Sequence, residues 1–542
     1  VNDGISRRDL LKSIAIAGVA GAVPAEMLRA DRTAAPAPSL VPPVAIETRY
    51  ATGDIVELYS TSDVFIPPRG RSFQKFSFDF PEPGVTFGNH RFSVLLFTEE
   101  NTYSLDRSRM KAEGNEDRLR LTCDRLVWAG GQETAPGSVT VEFQRTGSAI
   151  EWSVTAEMDR PIKTVTTVIR DVPRGKVGFG GAPPVDTRDG DALAAYTFGG
   201  GDLNGPPQSM NTPIAVVQTA DESFVYLTTL DDKVRPKRYY FQAGEKGFRV
   251  EAVYEHDAWR EDRRVVVPRW RLGTATSLDG AMQPHMEHIE RAFNLQTFEA
   301  RRDVPDWMRD VALVTTLHGM HYTGFIFNTY AQQLEILRWM ATQIPARRVL
   351  VFLSAWDGRY YWDYPNYTVP ARMGGEAGFK QLISEGRRMG FRMMPMYGAN
   401  SANRKQPVYA KLAGGITKKI DGNEYNLDWV DWNNDRHEDG WLAYMNLGAD
   451  VWRNHLEGRI ADTIERYGVD AYFLDIAGGH VNSTTGDMHE GTKTLVGNLR
   501  ATYPNVACVG EMPYDALHEF IPMFQVGLGP RWSKYSRAYS HL

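Results

Sequence analysis

The chain has 542 residues, 42% hydrophobic and 24% charged, with 13 Trp and 24 Tyr. Its length exceeds what one hydrophobic core fills and its composition is globular, which argues for at least two domains and against a disordered or fibrous chain. A formal net charge of −6 without any long basic run argues against nucleic acid as a partner and favours neutral ligands.

The first residues read Ser6-Arg7-Arg8-Asp9-Leu10-Leu11-Lys12, followed by an Ala/Gly-rich apolar run from Ile14 to Val23 and then Pro24-Ala25. Paired arginines, a short apolar stretch and a small-residue exit, in that order, predict a twin-arginine signal peptide over residues 1–25. The expected destination is the periplasm or the exterior, with the twin-arginine export machinery as a partner. The apolar run is too short for a permanent membrane anchor, and no later run approaches ~20 apolar residues. Residues 26–45 are Ala/Pro-rich and predict an extended spacer. Two cysteines, Cys123 and Cys508, do not make a disulfide scaffold and are expected to be independent buried thiols. No CxxC, HExxH or P-loop pattern occurs, which removes the usual support for metalloprotease or nucleotide-hydrolase chemistry.

Over residues 46–300 apolar residues alternate with polar ones, as in Val139, Val141 and Phe143 and again in Phe248, Val250, Ala252 and Tyr254. Turn clusters such as Asp171-Val172-Pro173-Arg174-Gly175 separate the runs, which predicts an antiparallel β-sandwich with no strong helix. From Pro305 the rhythm changes to short continuous apolar runs alternating with helical periods, the pattern of parallel strands buried on both faces. Strands are expected at Val311–Leu317, Val349–Leu353, Phe391–Tyr397, Ala471–Asp475 and Val506–Glu511, with a weaker sixth at Met523–Val526. Between them lie helical faces at Tyr330, Leu334, Leu337 and Ala341, then at Phe379, Leu382, Ile383 and Gly386, and then at Trp452, Leu456, Ile460, Ile464 and Tyr467. Gly390 and Gly468 stand where the last two should stop. Residues 305–542 thus predict a (β/α)8 TIM-type barrel, and six strands where eight are expected suggest that it is C-terminally truncated.

Side chains at the C-terminal ends of barrel strands converge on one mouth. Asp475 and Glu511 end consecutive predicted strands, and glycosidic hydrolysis requires such a pair, one carboxylate at the oxocarbenium-like centre and one acid on the leaving oxygen. Asp357 ends the second strand in Ser-Ala-Trp-Asp-Gly-Arg. Trp356, Tyr361, Tyr397, Asn400, His318 and His480 form the expected substrate-binding set. Aromatic residues crowd the same loops, among them Tyr360, Trp362, Tyr364 and Tyr367 after the second strand and Trp429, Trp432 and Trp441 before the fourth. As a set they favour a saccharide cleft. His321, His437 and His489 also lie near the expected mouth, yet no histidine has metal-ligand spacing to another, so no metal or other cofactor is expected. A structural calcium loop at Asp431, Asn433, Asp435 and Asp439 is the one exception considered, and it lacks the Gly and Glu of an EF-hand.

The run Tyr-Gly-Val-Asp-Ala-Tyr-Phe-Leu-Asp-Ile over residues 467–476, with Val-Gly-Glu over 509–511 one strand later, resembles retaining α-glycoside hydrolases. With the preceding β-sandwich it is most similar to glycoside hydrolase family 101, the endo-α-N-acetylgalactosaminidases, and more distantly to the α-amylase superfamily. The resemblance implies an α-linked oligosaccharide or polysaccharide as substrate, Asp475 as nucleophile, Glu511 as acid/base and Asp357 as a substrate-contacting residue. It departs from the α-amylases at Phe473, where they carry an Arg two residues before the nucleophile. Open alternatives are an inverting or differently specific glycosidase on the same barrel, and a non-catalytic saccharide-binding protein. Asp487 and Glu490 are the reserve acids.

Replacing Arg7 and Arg8 together by Lys is expected to leave the precursor uncleaved in the cytoplasm, as fractionation and immunoblotting would show. Normal processing of that double variant would contradict the signal assignment.

Overall fold

A computed structural model of the protein describes residues 45–50, 53–60, 63–65, 74–76, 80–128, 133–186, 192–196, 208–244, 246–359, 361–420, 422–425 and 441–525. The predicted signal peptide, most of the spacer, Tyr360, Trp429, Trp432, His437 and the calcium-loop residues Asp431, Asn433, Asp435 and Asp439 lie outside them.

The alternating segments form a twelve-stranded and an eight-stranded sheet, antiparallel except where Ala192–Tyr196 runs parallel to Gln208–Met210. In the strand Gly137–Thr146, Val139, Val141 and Phe143 are buried while Ser138 and Glu142 are exposed, so the period of two selects the core face. Phe92 of the larger sheet meets Phe143 and Trp152 of the smaller, with ring centroids 5.0 and 5.3 Å apart. Tyr239 meets Trp270 in the same way at 5.6 Å. These cross-sheet rings are the centre of a sandwich core.

Two departures from the sequence pattern have physical causes. In Phe248–Glu255 the polar partner Arg249 is itself buried, because it and Arg170 both pair at 2.5 Å with the fully buried Glu82. Burial alone would raise the Glu82 pKa, but the two guanidiniums hold it below the usual carboxylate value. Polar alternation here therefore marks an internal ion cluster rather than a wet face. Second, a 15-residue helix, Leu278–Ala292, closes the sandwich segment where no strong helix is expected. Pro284 interrupts its sequence signal, but Ser277 caps the first turn and Ala281 and Met282 dock on Ile214, Val216, Phe224 and Tyr226 of the smaller sheet. Tertiary burial outweighs local propensity.

Six parallel strands follow, paired in chain order: β1 (Leu313–Met320), β2 (Val349–Arg359), β3 (Arg392–Gly398), β4 (Ala471–Asp475), β5 (Ala507–Glu511) and β6 (Met523–Gln525). They match the expected positions and make a curled half-barrel. Leu350, Phe352, Met394, Met396, Ala471, Phe473, Ala507 and Val509 share one apolar cluster, while the intervening Val349, Val351, Leu353, Met393, Tyr472, Leu474 and Cys508 join the helix-side core. Strands β2 to β5 are thus sandwiched on both faces, which explains why their sequences are continuously apolar, whereas Leu313 and Val314 at the start of β1 are exposed. Phe473, the position that departs from the α-amylase pattern, belongs to the first of these layers and lies 4.5 Å from Phe352.

Helices α1 (Tyr330–Met340), α2 (Gly375–Met389), α3 (Asp450–Tyr467) and α4 (Met488–Thr502) cover the outer face. A Thr329–Gln332 capping box starts α1, and left-handed Gly390 and Gly468 end α2 and α3. The predicted faces are buried except for Ala341, which is exposed past the end of α1, and Tyr467, which is half-buried at the end of α3. Both cysteines are free and buried, and burial pushes the Cys508 thiol up to about 12, consistent with an inert core residue. Among the described residues, no helix is long and apolar enough to cross a membrane.

Candidate active site

In the β4–β5 ladder Leu474 pairs with Gly510, so the next residues, Asp475 and Glu511, leave the sheet side by side. Asp475 is buried and within hydrogen-bonding reach of Glu511. Burial, and then the neighbouring carboxylate, push the Asp475 pKa well above its ordinary value, while Tyr361 acts in the opposite direction by donating to Oδ2 at 2.6 Å. A buried carboxyl so placed beside a second one ionises only at a cost, and Asp475 is held protonated.

The backbone after each acid is unusual. Ile476 and Met512 both adopt left-handed conformations, with φ of 57° and 56°, a costly choice for a β-branched residue such as Ile. The turn at Ile476 presents its N–H to Glu511 Oε2 at 3.0 Å, and Asn400 Nδ2 holds its carbonyl at 2.9 Å. Asn400, expected to bind substrate, is thus committed on its amide nitrogen to the turn behind Asp475. Gly478 donates to the Glu511 carbonyl at 3.0 Å, and a Cβ on Gly478 would lie 1.5 Å from the Met512 carbonyl oxygen. Only glycine permits these two loops to touch. Tyr444, which no sequence motif marks, donates to the Gly479 carbonyl.

Other expected residues divide into two groups. His318 stands near the C-terminal end of β1, its Nδ1 2.7 Å from Ser354 Oγ of β2, and Tyr361 touches Asp475 directly. His480 is buried four residues after Ile476, with burial holding its pKa down at about 4; its ring is edge-on to Tyr514. Trp356 and Tyr397 instead fill the helix-side core: Trp356 stacks on Phe379 of α2 at 4.9 Å and donates to the Met396 carbonyl, and Tyr397 packs against Trp356 and Tyr367. Neither ring offers a stacking platform for a sugar. The reserve acid Asp487 is the N-cap of α4, accepting from the Glu490 N–H at 3.1 Å. Trp362 and Trp441 form a pair 5.3 Å apart, with Arg359 and Lys405 over the Trp362 ring. Among the described residues no group of three potential ligands is placed to hold a metal ion.

Asp357 differs from all of these. It is 2% exposed and neither carboxylate oxygen has a hydrogen-bond partner. Burial pushes its pKa up to about 8. An unpaired buried acid destabilises a fold and is retained at sites where a ligand supplies the missing partners.

No protein-family model matches this sequence, and no curated protein matches it. Solved structures do match. The α-N-acetylgalactosaminidase of Bifidobacterium bifidum, in complex with GalNAc, superposes with a TM-score of 0.58 over 88% of this chain and 78% of that one, at 13% identity. Its ligand-free form gives 0.52 over 80% and 78%, at 12% identity. A GH31 family sulfoquinovosidase from E. rectale gives 0.50 over 89% and 68%, at 11% identity. The fold is therefore that of α-glycosidases, a β-sandwich joined to a curled parallel sheet. The resemblance to family 101 gains this broader support and nothing narrower.

The sign of the Asp357 effect is testable. Its folded-state pKa lies above the unfolded value of about 4, so the folded chain keeps a proton that the unfolded chain releases, and stability falls as pH rises from about 4 to about 8. Asp357→Asn cannot ionise. Its stability relative to the parent, from urea unfolding, is expected to rise by about 1.4 kcal/mol per pH unit across that window. A pH-independent difference would show that Asp357 is not held neutral.

Proposed function

We propose that the chain is an exported retaining α-glycosidase, with Asp475 as nucleophile, Glu511 as acid/base and the six parallel strands as part of a (β/α)8 TIM-type barrel. The observation that carries this reading is the contact between the two strand-ending carboxyls. An inverting pair stands ~6.5–9.5 Å apart to admit a water between acid and base, whereas a retaining pair stands ~5–5.5 Å apart; carboxyls within hydrogen-bonding reach favour the closer arrangement. A buried acid held protonated beside a second carboxyl also favours catalysis over mere sugar binding.

In the proposed reaction Asp475, which burial and the neighbouring Glu511 hold protonated, passes its proton to Glu511 as substrate enters, and the Tyr361 hydroxyl steadies the Asp475 carboxylate that forms. Asp475 attacks the anomeric carbon while Glu511 protonates the departing glycosidic oxygen, giving a covalent glycosyl-enzyme. Glu511, now a base, takes a proton from water, which displaces Asp475 and releases a sugar of retained configuration. Asp357 and His318 meet the sugar hydroxyls at the same mouth. The fold match makes α-N-acetylgalactosaminides the first substrates to try. The paired arginines near the N-terminus support export to the periplasm or beyond.

The two acids are expected to fail differently. Asp475→Asn should lower turnover by orders of magnitude on every substrate, including aryl glycosides with activated leaving groups. Glu511→Gln should retain glycosyl-enzyme formation from those aryl glycosides, and azide should restore its turnover and yield an α-glycosyl azide. Near-parental hydrolysis of an unactivated glycoside by either folded variant would remove that residue from the mechanism.

A further inference from the structure

The loops behind the two acids end on the sandwich. The β4 loop starts at Ile476 and reaches Asn482, whose buried side-chain amide makes a two-sided bridge to sandwich backbone: Oδ1 accepts from Ala258 N–H at 2.9 Å and Nδ2 donates to the His256 carbonyl at 2.8 Å. The β5 loop starts at Met512 and reaches Asp515, which is fully buried. Its carboxylate accepts from the Tyr196 hydroxyl and, at 2.7 Å, from Thr212 Oγ1, and its N–H donates to the Asn211 carbonyl at 2.9 Å. All these partners come from one edge of the twelve-stranded sheet, whose order ends on Phe248–Glu255, Lys237–Ala243, Ala192–Tyr196 and Gln208–Met210.

That edge is itself pinned. Arg235 pairs with Asp257 at 2.8 Å and with Asp231 at 3.0 Å, and the buried Lys237 pairs with Asp231 at 2.7 Å. Asp257 stands between the two residues that grip Asn482. Between the anchors the loops touch through Gly478 and Met512, and the Ile476 N–H reaches Glu511. A displacement of Asn482 or Asp515 is therefore transmitted to the acids through short, tightly packed segments.

We propose that the sandwich edge is a positioning element for the catalytic pair, with Asn482 and Asp515 as the positioning residues that fix the loops behind Asp475 and Glu511. This rests on the glycosidase reading for its consequence in turnover, but the clamp itself has a structural readout. Small displacements of a reacting pair cost rate while leaving substrate affinity largely intact. A residue that merely holds the fold together would instead lower the active fraction and the melting temperature.

The test compares Asn482→Ala and the gentler Tyr196→Phe with Val154→Ala, a cavity in the sandwich core far along the chain from these loops. Two quantities are measured: hydrogen–deuterium exchange of peptides covering residues 475–483 and 510–516, and kcat and KM on an aryl α-glycoside. Asn482→Ala is expected to accelerate exchange in both peptides and to lower kcat about 10- to 100-fold with KM within roughly threefold. Tyr196→Phe should do the same to a smaller degree, and Val154→Ala should do neither while lowering the melting temperature. Unchanged exchange in both loops, or a kcat loss no larger than that of Val154→Ala, would overturn the proposal. An inactive parent chain would count against the glycosidase reading instead, and exchange would still decide whether the clamp exists.

Discussion

One constraint organises the mouth of the half-barrel: two carboxyls share a space too dry and too small for both to be charged. Asp475 and Glu511 reach it because parallel register sets the ends of β4 and β5 side by side. Burial and the neighbouring carboxyl then hold Asp475 protonated, so the pair carries the one proton that a nucleophile and an acid require at the start of a glycosidic cleavage. The surrounding groups keep the two acids distinct. Tyr361 donates to Asp475, and the left-handed Ile476 turns its amide towards Glu511, so each acid has a separate donor and a separate direction.

Holding that pair requires expenditure elsewhere in the fold. The left-handed turns at Ile476 and Met512 are strained, Gly478 leaves no room for a side chain, and Asp357 is buried with no partner. Such features persist only where surrounding structure over-determines them. Here it does so on two sides: the helix-side core fixes the strands, and the sandwich holds the far ends of the loops. The β-rich half of the chain therefore contributes to the site as well as to stability.

Much of this was legible in the sequence for definite reasons. Parallel strands buried on both faces read as continuous apolar runs, which is why β2 to β5 stood out, and Gly390 and Gly468 marked helix ends because left-handed caps favour glycine. Acids directly after Leu474 and Gly510 pointed to the mouth by strand register alone. Trp356 sits against the parity of its strand, since alternation along β2, with Leu350 and Phe352 inward, would carry the even-numbered residues to the inner face. A left-handed Ala355, φ 53°, and the register shift beside it reverse that alternation and turn the indole outward into the helix layer. Tyr397 follows the regular alternation of β3, in which Met394 and Met396 face in and their neighbours face out; its parity already excluded it from the inner face. Asn482 and Asp515 carry no local signal, since their partners lie more than 200 residues away in sequence. The helix Leu278–Ala292 was hidden by Pro284.

The most direct test of the carboxyl pair as a retaining catalytic centre is to trap the covalent intermediate. After incubation of the chain with mechanism-based 5-fluoro-α-glycosyl fluorides, including the N-acetylgalactosamine form, peptic peptides are sequenced by mass spectrometry. The account predicts one added glycosyl group per chain, esterified to Asp475. A label on a different carboxylate, or hydrolysis of a parent glycoside with inverted product configuration, would contradict it.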